Sequence, residues 1–256
     1  MNIIDTHTHL YLKQFNKDID LVINRSKEIG VNKFIFPAID SSHFDSMHSL
    51  KNKYPDIIYL MSGLHPTDVK EDFKDELEFV VNSLKTHDYV AIGEIGIDLY
   101  WDKSTLDIQK QVFELQINLA KKHRLPIVIH VRDSFKEAIE IVEKLNDDNL
   151  SGVFHCFTGD LEEAQRVINL QDFYLGIGGV VTFKNGGLDK IINQINLDHI
   201  ILETDSPYLT PSPFRGKRNE SKYILNIAQR LSEIYNIDIK NIAETTTHNA
   251  YKLFNI

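Results

Sequence analysis

Eight short apolar runs, longer segments of helical periodicity between them, and the absence of any linker or low-complexity tract across 256 residues predict an α/β fold, a (β/α)8 TIM barrel, as one domain over residues 1–256. The runs are Asn2 to Asp5, Lys33 to Pro37, Ile57 to Ser62, Val90 to Gly93, Pro126 to Ile129, Gly152 to Phe154, Phe173 to Ile177 and His199 to Leu202. They are β-branched and nearly continuous in apolar residues, as parallel strands covered on their faces must be. Between them Ile19, Val22, Ile23 and Ser26 recur at helical spacing, as do Leu77, Val80, Val81 and Leu84, then Val112, Leu115 and Leu119, then Ala138, Ile141, Val142 and Leu145. Ser104, Asp133 with Ser134, and Asp160 stand where such helices should start, because short polar side chains accept hydrogen bonds from unpaired first-turn N–H groups. Two last helices, Ser221 to Tyr235 and Asn241 to Phe254, follow the eighth strand and are expected to close the ring. A doubly wound open sheet is the alternative.

Composition narrows the function classes. With 42% hydrophobic and 25% charged residues the chain is that of a globular protein with a sizeable core. The lone Cys156 excludes a disulfide framework or a cysteine metal cage, so a reducing cytoplasm is the expected compartment and a small buried thiol the expected role. No leader-like start and no long apolar stretch is present, so neither export nor membrane insertion is expected. A net charge of −9 argues against a protein that coats nucleic acid.

In a barrel, residues at the carboxyl ends of the strands converge on one mouth. Six of the 11 histidines (His43, His48, His87, His123, His199 and His248) fall in helices, loops or strand starts and are expected to be exposed or capping. His7 and His9 follow the first strand, His65 the third, and His130 and His155 end the fifth and sixth. Glu94 ends the fourth, and Glu203 and Asp205 follow the eighth. Singly these are weak signals; gathered at one mouth they would be a costly buried polar cluster unless a metal holds them together. The nitrogen and oxygen donors suit Zn²⁺, Mn²⁺, Ni²⁺ or Fe²⁺ and admit Mg²⁺. His7, His9, Glu94, His130, His155 and Asp205 are too many for one tetrahedral ion that keeps an open position. Two ions about 3.5 to 4 Å apart, bridged by Glu94 and a water or hydroxide, would use them all.

The ordered set Asp5-Thr6-His7-Thr8-His9, Gly63-Leu64-His65-Pro66, Gly93-Glu94-Ile95-Gly96-Ile97-Asp98, His130-Val131-Arg132, His155-Cys156-Phe157 and Glu203-Thr204-Asp205-Ser206-Pro207, with Pro213 to Glu220, resembles the TatD family of metal-dependent hydrolases and deoxyribonucleases, amidohydrolase-like barrels. The resemblance runs from the first strand to the last helices. It implies cleavage of DNA phosphodiester bonds, often from the 3′ end, with two divalent ions at the six positions just named. Zn²⁺ is the ion expected in a structure, with Mg²⁺ or Mn²⁺ as physiological alternatives. Relatives among the amidohydrolases carry a modified lysine as the bridge; a ready carboxylate at Glu94 favours the TatD branch. Thr6 and Thr8 stand where the family often has other small residues, which leaves the site unaffected.

The expected arrangement has His7, His9 and Asp205 on one ion and His130 and His155 on the other. Asp205 also serves as general base. His65 is the expected electrophile toward substrate, Arg132 a phosphate donor, and Glu203 an orienting carboxylate, with Asp5 and Asp98 in lesser orienting roles. Arg215, Lys217 and Arg218 in the loop after the eighth strand are expected to meet a substrate phosphate. Tyr208, Phe214, Tyr100 and Trp101 either stack on bases or pack as core or lid; both readings stand. DNA, as single strands or 3′ ends, is the expected partner of a monomer with no obligate protein partner. The alternatives are an amide or lactone hydrolase and a metal-binding barrel without catalysis.

Overall fold

A computed structural model describes residues 1–256. Eight parallel strands join in sequence order into one sheet: β1 (Ile3–Asp5), β2 (Val31–Phe36), β3 (Ile58–Ser62), β4 (Ala91–Asp98), β5 (Ile127–Arg132), β6 (Gly152–Phe154), β7 (Phe173–Ile177) and β8 (Ile200–Leu202). Around them lie α1 (Ile19–Glu28), α2 (Phe44–Lys53), α3 (Phe73–Thr86), α4 (Leu106–His123), α5 (Phe135–Leu145), α6 (Leu161–Ile168), α7 (Leu188–Ile192), α8 (Ile224–Tyr235) and α9 (Ile239–Phe254). The ring closes where Thr6 N–H donates to the Leu202 carbonyl at 3.2 Å, Asp205 N–H to His7 at 2.9 Å and His9 N–H to Ser206 at 2.7 Å. The fold is the (β/α)8 barrel of the sequence reading. No helix is long and apolar enough to cross a membrane.

Differences from the sequence reading are local. β4 continues past Gly93 to Asp98, and β5 past Ile129 to Arg132, so Glu94 and His130 lie within strands instead of ending them. Asp160 caps α6 through a reciprocal capping box with Glu163. Ser104 is not a cap: Asp102 accepts its N–H before a 3-10 turn leading to α4. The Ser134 hydroxyl turns away from its helix to donate to the Ile97 carbonyl at 2.6 Å.

Strand periodicity explains the division of the barrel interior. One buried cluster takes a residue from every strand: Ile4, Ile35, Met61, Ala91, Val128, Val153, Tyr174 and Ile201. Ala250, Leu253 and Phe254 of α9 pack into the same cluster and seal that end. Each large apolar side chain buried there contributes about 1.5 to 3 kcal/mol relative to exposure. Two residues further along the rows of β5 to β8 stand His130, His155, Gly176 and Glu203, so on that half of the barrel an apolar floor is followed at once by a polar layer.

Candidate metal centre

Glu94 reaches that layer through a break in strand register. Gly93 pairs with Val128 and Ile95 with Ile129, leaving Glu94 as an extra, bulged residue. Gly96, at φ +144°, completes the bulge: a Cβ there would come within 2.1 Å of the His130 carbonyl oxygen. The Glu94 carboxylate is buried and surrounded by imidazoles. Its Oε2 lies 3.2 Å from His7 Nε2 and 3.8 Å from His9 Nε2. Its Oε1 lies 2.8 Å from His130 Nδ1, 2.8 Å from His155 Nε2 and 3.4 Å from His65 Nε2. Asp205 Oδ1 completes the first side at 3.4 Å from His9 Nε2 and 3.9 Å from His7 Nε2. The His7 and His155 rings stack, with centroids 3.9 Å apart.

Outer partners decide which nitrogen of each ring faces inward. Tyr11 spends its one hydroxyl hydrogen on the Pro37 carbonyl at 2.7 Å, so at 2.8 Å it accepts from His9 Nδ1 and leaves the Nε2 lone pair toward Glu94 and Asp205. His130 Nε2 contacts Asp98 Oδ2 at 2.9 Å, turning Nδ1 to Glu94. His155 Nδ1 lies 3.4 Å from Glu203 Oε1, which also accepts the Cys156 N–H at 2.6 Å. Gly176 gives Glu203 its place, since a Cβ would stand 2.4 Å from Glu203 Oε2. Asp5 accepts both the N–H (2.9 Å) and the hydroxyl (2.7 Å) of Thr204, tying β1 to the residue before Asp205.

The charges of the site are set by burial and by the mutual fields of its imidazoles and carboxylates. Burial pushes the Glu94 carboxyl up, but His155, His65 and His7 overcome it and hold the group well below its usual range. Burial likewise opposes ionisation of Asp205, and His9 outweighs it. Burial lowers His155 and His130, yet Glu94 and Glu203 carry His155 well above its ordinary value, and Asp98 and Glu94 raise His130. Burial and His155 hold His7 down. Burial takes Asp5 up to about 7. Both ring nitrogens of His7, His155 Nδ1 and Glu203 Oε2 are buried without a hydrogen-bond partner, a costly state for polar atoms unless something else binds among them. Three donor groups are tight enough to hold an ion: His7, His9 and Glu94; His7, His155 and Glu203; and His65, Glu94 and His130. All donors are nitrogen or oxygen, so the residues fit divalent metal.

The substrate-facing candidates scatter more. His65 lies closer to the donors than expected, but its Nδ1 accepts the Thr67 N–H at 3.2 Å, so the neutral ring carries its hydrogen on Nε2. Arg132 is exposed, makes no ion pair with Asp133, and lies over the Tyr100 ring at 3.6 Å. Arg215 and Lys217 are exposed and touch none of the cluster; Arg215 lies over Phe183 at 3.9 Å and donates to the Thr210 carbonyl. Arg218 differs from expectation: Asp18 holds it at 2.7 Å and Glu220 at 3.0 Å, so its charge is already matched. Phe214 stacks on Tyr223 at 4.6 Å, which makes it packing. Tyr208 stands half-exposed with its ring 5.9 Å from His9. Cys156, expected to be buried, is partly exposed. A groove of about 340 Å³ opens at His155 between the loops after β5 and β6, lined also by Val131, Asp133 and Lys136. Sequence reasoning missed Tyr11 and Gly176; the spacing of Tyr11 two residues after His9 was the available signal for the first.

Comparison with known proteins agrees with this geometry. The family model for TatD related DNase matches residues 4–255. The uncharacterized metal-dependent hydrolase YabD of Bacillus subtilis is 40% identical over 256 residues, covering 99% of each chain. The crystal structure of YJJV, a TATD homolog from Escherichia coli, superposes with a TM-score of 0.93 at 29% identity, covering 99% of this chain and 98% of the other. A TatD family hydrolase from Entamoeba histolytica shares the fold, with a TM-score of 0.84 at 24% identity over 99% of this chain and 98% of that one.

Proposed function

The chain belongs to the TatD-related DNase family of metal-dependent hydrolases, and from that premise we propose that it hydrolyses phosphodiester bonds of DNA, working from a 3′ end, with two divalent ions. His7, His9 and Asp205 would hold one ion, His130 and His155 the other, and Glu94 both. The observation that carries this reading is the division of the Glu94 carboxylate, one oxygen facing His7 and His9 and the other facing His130 and His155. When bound, such ions make water nucleophilic near neutral pH and offset charge on phosphoryl oxygens.

The chain's own residues supply the rest. Asp205, kept ionised by His9 against its burial, accepts the proton of the attacking water. His65, held neutral chiefly by burial, carries on Nε2 a hydrogen that lies toward Glu94 at 3.4 Å and would be donated to a phosphoryl or leaving oxygen entering there. Glu203 orients His155. Arg132, free of any ion pair, offers a planar pair of donors to phosphate. Arg215 and Lys217 add positive charge on the exposed loop after β8. An overall charge of −9 leaves this mouth as the place to hold a strand briefly.

The test is a substrate panel: single-stranded DNA, a generic phosphodiester and a cyclic amide, each with Mg²⁺, Mn²⁺ or Zn²⁺. Hydrolysis of DNA and the phosphodiester is expected. Turnover of the amide alone would overturn the reading, and no turnover with any ion would point to a barrel without catalysis.

A further inference from the structure

Tyr100 and Trp101 are exposed by 52% and 72%, an unusual state for two adjacent large aromatics. They lie one residue, Leu99, beyond β4, the strand that carries Glu94. Their rings meet edge to face with centroids 4.9 Å apart, and the Arg132 guanidinium lies 3.6 Å from the Tyr100 ring centre and 5.6 Å from that of Trp101. Arg132 makes no direct ion pair; its cation meets these π-faces and, at longer range, the Asp98 carboxylate.

This platform is tied to the metal centre. Asp98 accepts the Tyr100 N–H through Oδ1 at 3.0 Å and contacts His130 Nε2 through Oδ2 at 2.9 Å. Arg132 is two residues beyond His130 on the same strand and faces the same side. The groove opening at His155 is lined by Val131 and Asp133, the chain neighbours of Arg132, and not by Arg132, Tyr100 or Trp101.

We infer that Trp101, with Tyr100 and Arg132, forms a stacking subsite for one unpaired nucleobase beside the reacting phosphate. The inference rests on the proposed DNA substrate and adds how the strand is seated. The exposed Trp101 ring suits a base on its face, and the Arg132 guanidinium held over Tyr100 suits the adjoining phosphate, without reading sequence. A base still paired in duplex would have to leave its stack to bind, so the subsite favours frayed or single-stranded ends.

Trp101 is the chain's one tryptophan, so fluorescence excited at the red edge, where tyrosine does not absorb, reports on the subsite alone. Metal-loaded protein is titrated with phosphorothioate oligothymidylate and with an abasic oligomer of equal phosphate count. Quenching by the first and little by the second is expected. Binding of labelled oligothymidylate, read by anisotropy, should weaken about 5- to 100-fold in Trp101→Ala, with most of it recovered in Trp101→Phe. The rise in KM of Trp101→Ala should be larger for oligothymidylate than for its abasic analogue. Equal quenching by both oligomers, an equal KM change for both, or a fluorescence shift that follows protein concentration and ignores DNA would overturn the subsite, the last marking a self-association surface. Base-selective quenching without hydrolysis of any DNA would instead support the subsite and reject the proposed activity.

Discussion

Asp98 Oδ2 lies 2.9 Å from His130 Nε2, and this contact fixes which imidazole nitrogen faces Glu94. Asp98→Asn keeps the size but replaces a carboxylate acceptor with an amide. Loss of such an orienting partner costs about 10- to 100-fold in metal affinity or activity. Titration of the ion-free variant with Zn²⁺ should show the weaker binding; wild-type affinity would mean that His130 is oriented by something else.

Glu94→Gln should lower hydrolysis by more than about 100-fold, beyond what loss of an outer partner causes. The barrel should remain folded, because Glu94 lies outside the apolar clusters. Metal content per chain, measured with the rate and a circular-dichroism melt, separates the cases. Full activity would remove Glu94 from its shared position.

Ion uptake should acidify weakly buffered solution. His130 and His155 hold protons above their ordinary range because Asp98, Glu94 and Glu203 outweigh burial, and a cation can use their lone pairs only after those protons leave. A pH indicator should register roughly one or more protons released per chain at neutral pH. Affinity should correspondingly fall as pH drops. Uptake with no proton release would show that the ions bypass these rings.

Gly176→Ala puts a methyl group 2.4 Å from Glu203 Oε2 and 3.0 Å from the His155 Cα. Overpacking of this kind costs about 1 to 3 kcal/mol, and displacement of Glu203 should reduce activity about 10-fold or more. Thermal melts and steady-state rates check the two parts independently. A variant of unchanged rate would show Glu203 to be dispensable.

Arg218, aided by Arg25, holds the Asp18 carboxyl down at about 2. Between about pH 4 and that value the unfolded chain binds a proton the folded chain does not, so stability falls as pH drops through the window. Asp18→Asn should flatten this slope and cost about 1 kcal/mol at neutral pH, since the pair is partly open to solvent. Urea unfolding at several pH values would reveal it; parallel curves for the two proteins would rule it out.

The barrel was legible because its strands are short apolar runs in a regular alternation, and the donor set because histidines and carboxylates stood at their ends. The length of β4 was hidden by Gly93 and Gly96, which interrupt the apolar run in sequence but here form a bulge that aims Glu94 inward. The basic loop misled at Arg218 because only one of its two partners, Glu220, is local, while Asp18 lies 200 positions away. The role of Gly176 was invisible for a similar reason: it is defined by the side chain of Glu203 on the next strand.

Closure between β1 and β8 also sets an order in time. A chain still being synthesised, out only as far as β7, would already carry His7, His9, Glu94, His130 and His155 but neither Asp205 nor the strand that pairs with both β7 and the His7–His9 segment. Until Ile200–Leu202 emerges, the sheet keeps two open edges, which are prone to pair with other chains. A truncation ending before Ile200 should therefore aggregate instead of giving a smaller enzyme. Assembly of the donors therefore waits until Asp205 has emerged, when only the segment carrying α8 and α9 is still to come.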